Sequence, residues 1–123
     1  MTSLNDRVFD NGLTVLDTEA DVLYICNAEP TNYTQASSTY ALGSKANPTV
    51  SAPADRTGGG RKVTVSAIAD GAATATDTAT HYALVDVSET RLLAAGALAA
   101  GVSVTSGNVW TLTAFDIGIP DPA

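Results

Sequence analysis

Two stretches of this sequence alternate with a period of two, and this alternation constrains the fold more than any other feature. In RKVTVSAIA (61–69), valine and alanine fall on one face, and Lys62 and Thr64 fall on the other. In NVWTLTAFDIGI (108–119) both faces carry large apolar side chains, and Pro120 ends the run because proline cannot donate to a β-ladder. A period of two is the side-chain repeat of a β-strand. We therefore predict an all-β, mainly antiparallel, sandwich-like fold of about seven or eight strands.

Turn and helix signals divide the rest of the chain. Asp70-Gly71 predicts a tight turn that joins strand 61–69 to a return strand within 73–87, as a hairpin. Asp10-Asn11-Gly12 predicts a second turn, and ADVLYICN (20–27) alternates as a strand. A short helix is expected at 31–37, where Pro30 precedes tolerable helix formers.

The length of 123 residues fits a single domain that spans 1–123 and can bury a core without staples. Within it, residues 1–19 are a candidate N-terminal arm. Residues 44–60 contain two prolines and three glycines, which predicts a long loop or arm. Either segment is a candidate to reach neighbouring subunits.

Charge and cysteine content limit the classes of partner. The net charge of −7 argues against nucleic acid or an anionic membrane as partner, since both attract basic surfaces. Cys26 is the only cysteine, so we expect no disulfide, and its apolar neighbours predict a buried, inert thiol. We see no secretory signal, and the apolar stretch 92–102 is too short and too rich in glycine to span a bilayer.

The stretch DRTGGGRK (55–62) is the strongest apparent chemical motif. A phosphate-binding P-loop requires different spacing and a helix after the glycines, whereas here a predicted strand follows. The stretch is therefore either a flexible hinge or a contact element. In the second case Arg56, Arg61 and Lys62, half of the six basic residues, contact acidic groups of a partner.

No set of residues in the sequence forms a recognisable catalytic site, so we expect no enzyme activity and no cofactor. His81 is the sole histidine, and its alternating position predicts a hydrogen-bonded residue of a sheet rather than a catalytic base. Trp110 is expected in the core or an interface rather than in a ligand platform. The acidic residues near the N-terminus do not match a calcium loop, but calcium binding stays open; they are Asp10, Asp17, Glu19 and Asp21.

Three segments together resemble small structural proteins encoded in the virion-morphogenesis regions of tailed phages and alphaproteobacterial prophages. They are LNDRVFDNGLTVL, DVLYICNAEPTNYTQASSTYALG and WTLTAFDIGIP, and the pattern I-C-x-x-E-P-T-x-Y-x-x-A at 25–36 is the most distinctive part. The resemblance covers most of the chain. It implies a virion component without catalytic residues, and it does not distinguish head from tail.

The resemblance and the residues together predict a capsid decoration or cement protein, located in the virion and assembled in the bacterial cytoplasm. Its expected partners are the major capsid protein or other virion subunits and further copies of itself. A tail, collar or fibre-associated subunit is the first alternative, and a host glycan- or receptor-binding module, with Trp110 as the residue to test, is the next. A small cell-wall hydrolase that uses Asp17 or Asp21 is the enzyme alternative.

Overall fold

The structure, a computed structural model, describes residues 6–120 and the side chains of residues 10–120. Residues 1–5 of the candidate arm lie outside the described residues. The elements in chain order are α1 (Asp6–Glu19), β1 (Val22–Cys26), a π-helical turn (Gln35–Thr39), β2 (Ala41–Ala46), β3 (Ala54–Asp55), β4 (Arg61–Val65), β5 (Ile68–Ala73), β6 (Asp77–Asp86), β7 (Arg91–Val104), β8 (Val109–Leu112) and β9 (Phe115–Ile119).

The strands form two antiparallel sheets, which confirms the all-β prediction. A six-stranded sheet has the order β7-β6-β1-β2-β5-β8, and a three-stranded sheet has the order β3-β4-β9. The larger sheet curls. Its core contains Leu23 and Ile25 from β1 and Leu84 from β6, together with Val63 and Val65 from the smaller sheet. The short helix predicted at 31–37 is present in part: helical residues run from 33 to 39, and Gln35–Thr39 form a π-helical turn.

The two strands predicted at 61–69 and 108–119 each break into two strands. β4 pairs with β9 in the smaller sheet, and β5 pairs with β8 in the larger one. The register is the same on both sides of the break, because Val65 lies opposite Phe115 and Ile68 lies opposite Leu112. The two segments are therefore one antiparallel ribbon that bends from one sheet into the other, as strands do at the corners of packed sheets.

The predicted Asp70-Gly71 turn is wrong, because both residues lie within β5. Gly71 is opposite Trp110, and a Cβ atom added to Gly71 would overlap the indole ring, 2.5 Å from Cζ2 and closer to Cε2 and Cδ2. Gly43 on β2 lies against the same indole. The glycine at 71 therefore serves close packing of a tryptophan rather than a change of chain direction. β6, the predicted return strand, pairs with β1 and β7 instead.

The predicted turn at Asp10-Asn11-Gly12 is also wrong, because all three residues lie in α1. Asparagine and glycine are poor helix formers, so local propensity favours a turn here. Leu13 and Leu16, three residues apart on one helix face, are buried in the main core. Burial of that face outweighs the low propensity, and it places residues 6–19 of the candidate arm in a helix packed against the sheets.

The segment 44–60 lies along β4 for much of its length. Its first residues belong to β2, and Val50 forms a bridge to Val65. The Ser51 amide donates to the Thr64 carbonyl, and β3 then pairs with the start of β4. This loop therefore occupies the edge of β4 that is not paired with β9.

A second, smaller core covers the outer face of the curled sheet. Cys26 lies beneath the π-helical turn, with its thiol 3.6 Å from the Ala36 carbonyl oxygen. Ala83 and Val85 from β6 complete the buried part, and Tyr24, Tyr33 and Tyr40 pack around it. The pattern at 25–36 that carries the family resemblance is therefore the segment that leaves β1 and folds back over its outer face.

Candidate functional site

The glycine-rich stretch forms a tight hairpin turn between β3 and β4. Asp55 pairs with Arg61, the Arg56 amide donates to the Gly60 carbonyl, and the Gly59 amide donates to the Arg56 carbonyl. Gly58, Gly59 and Gly60 have φ values of 90°, 103° and 89°. Residues with a Cβ rarely adopt this left-handed region, so the turn itself requires the three glycines.

Arg56 folds back over this turn. Its Nη1 atom donates to the Gly59 carbonyl at 3.0 Å, and its Cδ and Nε atoms lie over Gly118 of β9. A Cβ atom added to Gly118 would be 2.9 Å from Cδ of Arg56, so the missing side chain provides the space in which the arginine lies. Among residues 10–120, no carboxylate side chain is within ion-pair distance of Arg56.

Arg61 points to the opposite face of β4 and is bound within the molecule. Its Nε atom is 2.9 Å from Oδ1 of Asp10 in α1, and its Nη1 atom is 2.6 Å from Oδ1 of Asp55. Its Nη2 atom also donates to the Pro53 carbonyl at 3.4 Å. Only 17% of its side chain is exposed. Arg61 therefore fixes the helix and the loop to β4.

Lys62 points to the same outer face as Arg56. Its Nζ atom is 3.0 Å from Oδ2 of Asp116, and the Thr64 hydroxyl donates to Oδ1 of the same carboxylate at 2.7 Å. The Thr64 hydrogen bond and then the lysine lower the pKa of Asp116, so this carboxylate is ionised near neutral pH. These outer-face residues and the arginine line an open pocket of about 350 Å³; they are Arg56, Thr57, Lys62, Asp116 and Gly118.

The structure thus separates the three basic residues that the sequence grouped together. Arg56 and Lys62 share the pocket, whereas Arg61 lies on the other side of the strand because successive side chains alternate between faces. Sequence analysis missed Asp116 and Gly118. The signal that would have found them is the register of β4 with β9, which places Lys62 opposite Gly118.

The other residues considered from the sequence do not come together. His81 is half-buried in β6, with Nδ1 2.9 Å from the Thr80 hydroxyl oxygen. Asp21 accepts a hydrogen bond from the Val87 amide, and Glu19 lies 3.6 Å from Arg91. In the described part of the chain, no three residues with His, Cys, Asp or Glu side chains are grouped as metal ligands.

Trp110 and Cys26, which the sequence raised as a possible ligand platform and a possible reactive thiol, are both buried. Trp110 is 3% exposed and donates from Nε1 to the Ala72 carbonyl at 3.0 Å, so its ring face cannot stack on a sugar from solution. Burial raises the pKa of the Cys26 thiol to about 11, which keeps the thiol in its unreactive protonated form at neutral pH.

A second cavity lies where the curl of the large sheet brings its two edge strands, β7 and β8, close together; we call these the outer strands. β7 and β8 approach each other here, and the bend between β8 and β9 forms one wall. The cavity has a volume of about 240 Å³. It is lined by Leu98, Leu112 and the tilted ring pair of Tyr82 and Phe115, whose centroids are 4.4 Å apart. We call this cavity the seam.

Comparisons with protein-family models, with curated proteins and with solved structures found no match. Of the helices within residues 6–120, none has the length and apolar character that crossing a membrane requires.

Proposed function

We propose that this chain is a non-enzymatic structural subunit of a phage virion, namely a decoration or cement protein that binds and stabilises the assembled capsid. The partners in this proposal are the major capsid protein and further copies of the chain. The support from the sequence is the resemblance carried by residues 25–36 and the two flanking segments. The support from the structure is that β7 and β8, the two outer strands of the large sheet, have free edges that lack charged residues and prolines.

The free edges of these outer strands lack two of the usual protections, charge and proline. Within the described chain, β7 pairs only with β6, and β8 pairs only with β5. No charged residue and no proline occurs from Leu92 to Phe115, a segment that contains β8 and all of β7 after Arg91. Monomeric proteins commonly protect such edges with charges, prolines or bulges. The lack of charge and proline along both edges is the observation that carries the proposal.

The pairing of β7 with β6 has two irregularities, and the larger one limits where a partner strand can pair. Ala79 lies opposite Val102 and His81 lies opposite Ala97, so residues 98–101 bulge out opposite Thr80 alone. This bulge leans toward the seam. β8 has no such bulge, because the extra residue in its irregular pairing with β5 lies on β5, and it carries Val109 with 66% of its surface exposed. Addition of a partner strand is therefore easiest along β8, where main-chain hydrogen bonds supply affinity and many copies multiply a weak contact.

The test is co-sedimentation of the purified protein with empty capsids of the phage that encodes it. Val109→Lys places a charge on the β8 edge at an exposed position, so it should weaken capsid association without unfolding the protein. Thr105→Lys is the matched control, because it adds the same charge at an exposed residue outside the strands.

We expect the wild-type protein and Thr105→Lys to sediment with capsids and Val109→Lys to remain largely in solution. Recovery of the protein with tails or fibres instead of heads would replace this proposal by the tail, collar or fibre alternative. Absence from every particle fraction would remove the virion proposal altogether.

A further inference from the structure

The Arg56 side chain has a fixed position, but most of its N–H donors make no hydrogen bond to a described residue. A guanidinium group carries five N–H donors. One bond to the Gly59 carbonyl is formed, and the Nε and Nη2 donors make no hydrogen bond to a described residue. The turn and Gly118 hold the side chain in its position over β9. An arginine fixed in advance loses less conformational freedom when it binds a ligand.

The charge around Arg56 selects the kind of ligand. Lys62 and Asp116 form an ion pair in the same pocket, so the two basic residues and one carboxylate leave a formal charge of about +1. A ligand group with a single negative charge balances this pocket. A doubly charged phosphate would carry excess charge close to the Asp116 carboxylate.

We propose that this pocket binds one carboxylate side chain of an acidic segment in a partner protein, with Arg56 as the principal donor. Thr57 also lines the pocket, and its hydroxyl is the second candidate donor. This inference rests on the proposed function in one respect, since it gives the chemistry of a contact through which a virion partner is bound. The pocket lies on the outer face of the smaller sheet, and none of its lining residues belongs to β8.

The probe is the blocked peptide acetyl-Ala-Glu-Ala-amide, and its glutamine counterpart acetyl-Ala-Gln-Ala-amide tests whether the charge is needed. Binding is followed by amide chemical shifts of Gly59 and Gly118 in isotope-labelled protein. One charge-assisted contact predicts a dissociation constant on the order of 10 mM for the glutamate peptide. Inorganic phosphate is titrated separately as the competing class of anion.

Three variants separate charge from geometry. Arg56→Gln removes the guanidinium, and Gly118→Ala keeps the charge but places a methyl group against Cδ of Arg56, which displaces the side chain. Lys45→Gln removes one positive charge from the exposed pair with Asp70, outside the pocket, and is the matched control. We expect Arg56→Gln and Gly118→Ala to weaken glutamate-peptide binding at least about tenfold, and Lys45→Gln to change it less than about twofold.

Equal binding of the glutamate peptide by Arg56→Gln and wild type would overturn the inference, and so would tighter binding of phosphate than of the peptide. Capsid sedimentation separates this result from the proposed function. If wild type and Arg56→Gln sediment equally with capsids, the pocket is not the capsid contact although decoration stands. If peptide binding depends on Arg56 but wild type does not sediment, the carboxylate site stands and the decoration proposal falls.

Discussion

Replacing Gly71 by alanine tests whether this glycine is present for the sake of Trp110. The new methyl group would lie 2.5 Å from Cζ2 of the indole and closer to two other ring atoms, far inside contact distance. The ring cannot simply move outward, because it is 3% exposed and its Nε1 atom is hydrogen-bonded to the Ala72 carbonyl. Either the ring or strand β5 must shift.

The cost follows from these contacts. Overpacking a core typically costs about 1–3 kcal/mol, and loss of the indole hydrogen bond adds about 1 kcal/mol. We therefore expect Gly71→Ala to lower the free energy of unfolding by about 2–4 kcal/mol, a large part of the 5–15 kcal/mol typical of a domain. For a chain of this length the Tm should fall by about 6–16 °C.

Urea unfolding followed by tryptophan fluorescence measures this directly, since Trp110 is the only tryptophan. Gly12→Ala is the control glycine substitution, because its Cβ would meet only Ile119 Cδ1 at 3.9 Å, and it should stabilise α1 by about 0.5–1 kcal/mol. The decisive comparison is Gly71→Ala in a Trp110→Leu background, with unfolding followed by circular dichroism. There the substitution should cost less than about 1 kcal/mol because the ring is gone.

A backbone requirement at Gly71 predicts a different outcome. If Gly71→Ala cost as much without the indole as with it, the glycine would be needed for its backbone conformation, and the packing argument would be refuted. A cost below about 1 kcal/mol in the wild-type background would refute it as well.

Three further substitutions or conditions test other parts of the structure. Arg61→Gln should lower the free energy of unfolding by about 1–2 kcal/mol, since the half-buried Asp10 carboxylate loses its partner; an unchanged urea midpoint would contradict the anchoring role. Cys26 is fully buried, so it should react with a thiol reagent at pH 8 only as fast as the protein opens, and its raised pKa slows the reaction further. Denaturant should accelerate labelling, and rapid labelling of the folded protein would show that the thiol is accessible. The pKa of Asp116 is lower in the folded state, so its ionised carboxylate stabilises the fold at pH values above the carboxyl's usual pKa. This stabilisation is lost as the pH falls through the lowered folded-state pKa. The Tm of Asp116→Asn should therefore fall less between pH 6 and pH 3 than the Tm of wild type.

The ion pairs of Arg61 with Asp10 and Asp55 change how a substitution at this position must be interpreted. A double substitution of Arg61 and Lys62 by glutamate looks, from the sequence, like a test of docking alone. In the structure a glutamate at position 61 would face Asp10 and Asp55, so the variant would be destabilised whether or not it docks. Arg56 is the residue at which docking can be tested without this effect.

The fold class could be predicted from the amino-acid sequence alone. Alternation at 61–69 and 108–119 specified strands, because a period of two places one set of side chains on a single buried face. It also predicted the buried Cys26 and the short helix before β2, since both depend on local composition. Its lack of phosphate-loop spacing limited the glycine-rich stretch to a flexible hinge or a contact element, and the structure shows a hydrogen-bonded tight turn.

The strand that pairs with each half of a predicted strand depends on long-range packing and could not be predicted from the sequence. Alternation indicates which face of a strand is buried, but it does not indicate which strand lies alongside. The bend that divides residues 61–73 between two sheets therefore cannot be recognised from the local sequence. At the bend the outer edge of β4 is taken by residues 49–55, while β5 pairs with β2. The helix at the N-terminus and the role of Gly71 depend in the same way on distant residues, because burial of Leu13 and the position of Trp110 outweigh local turn propensity.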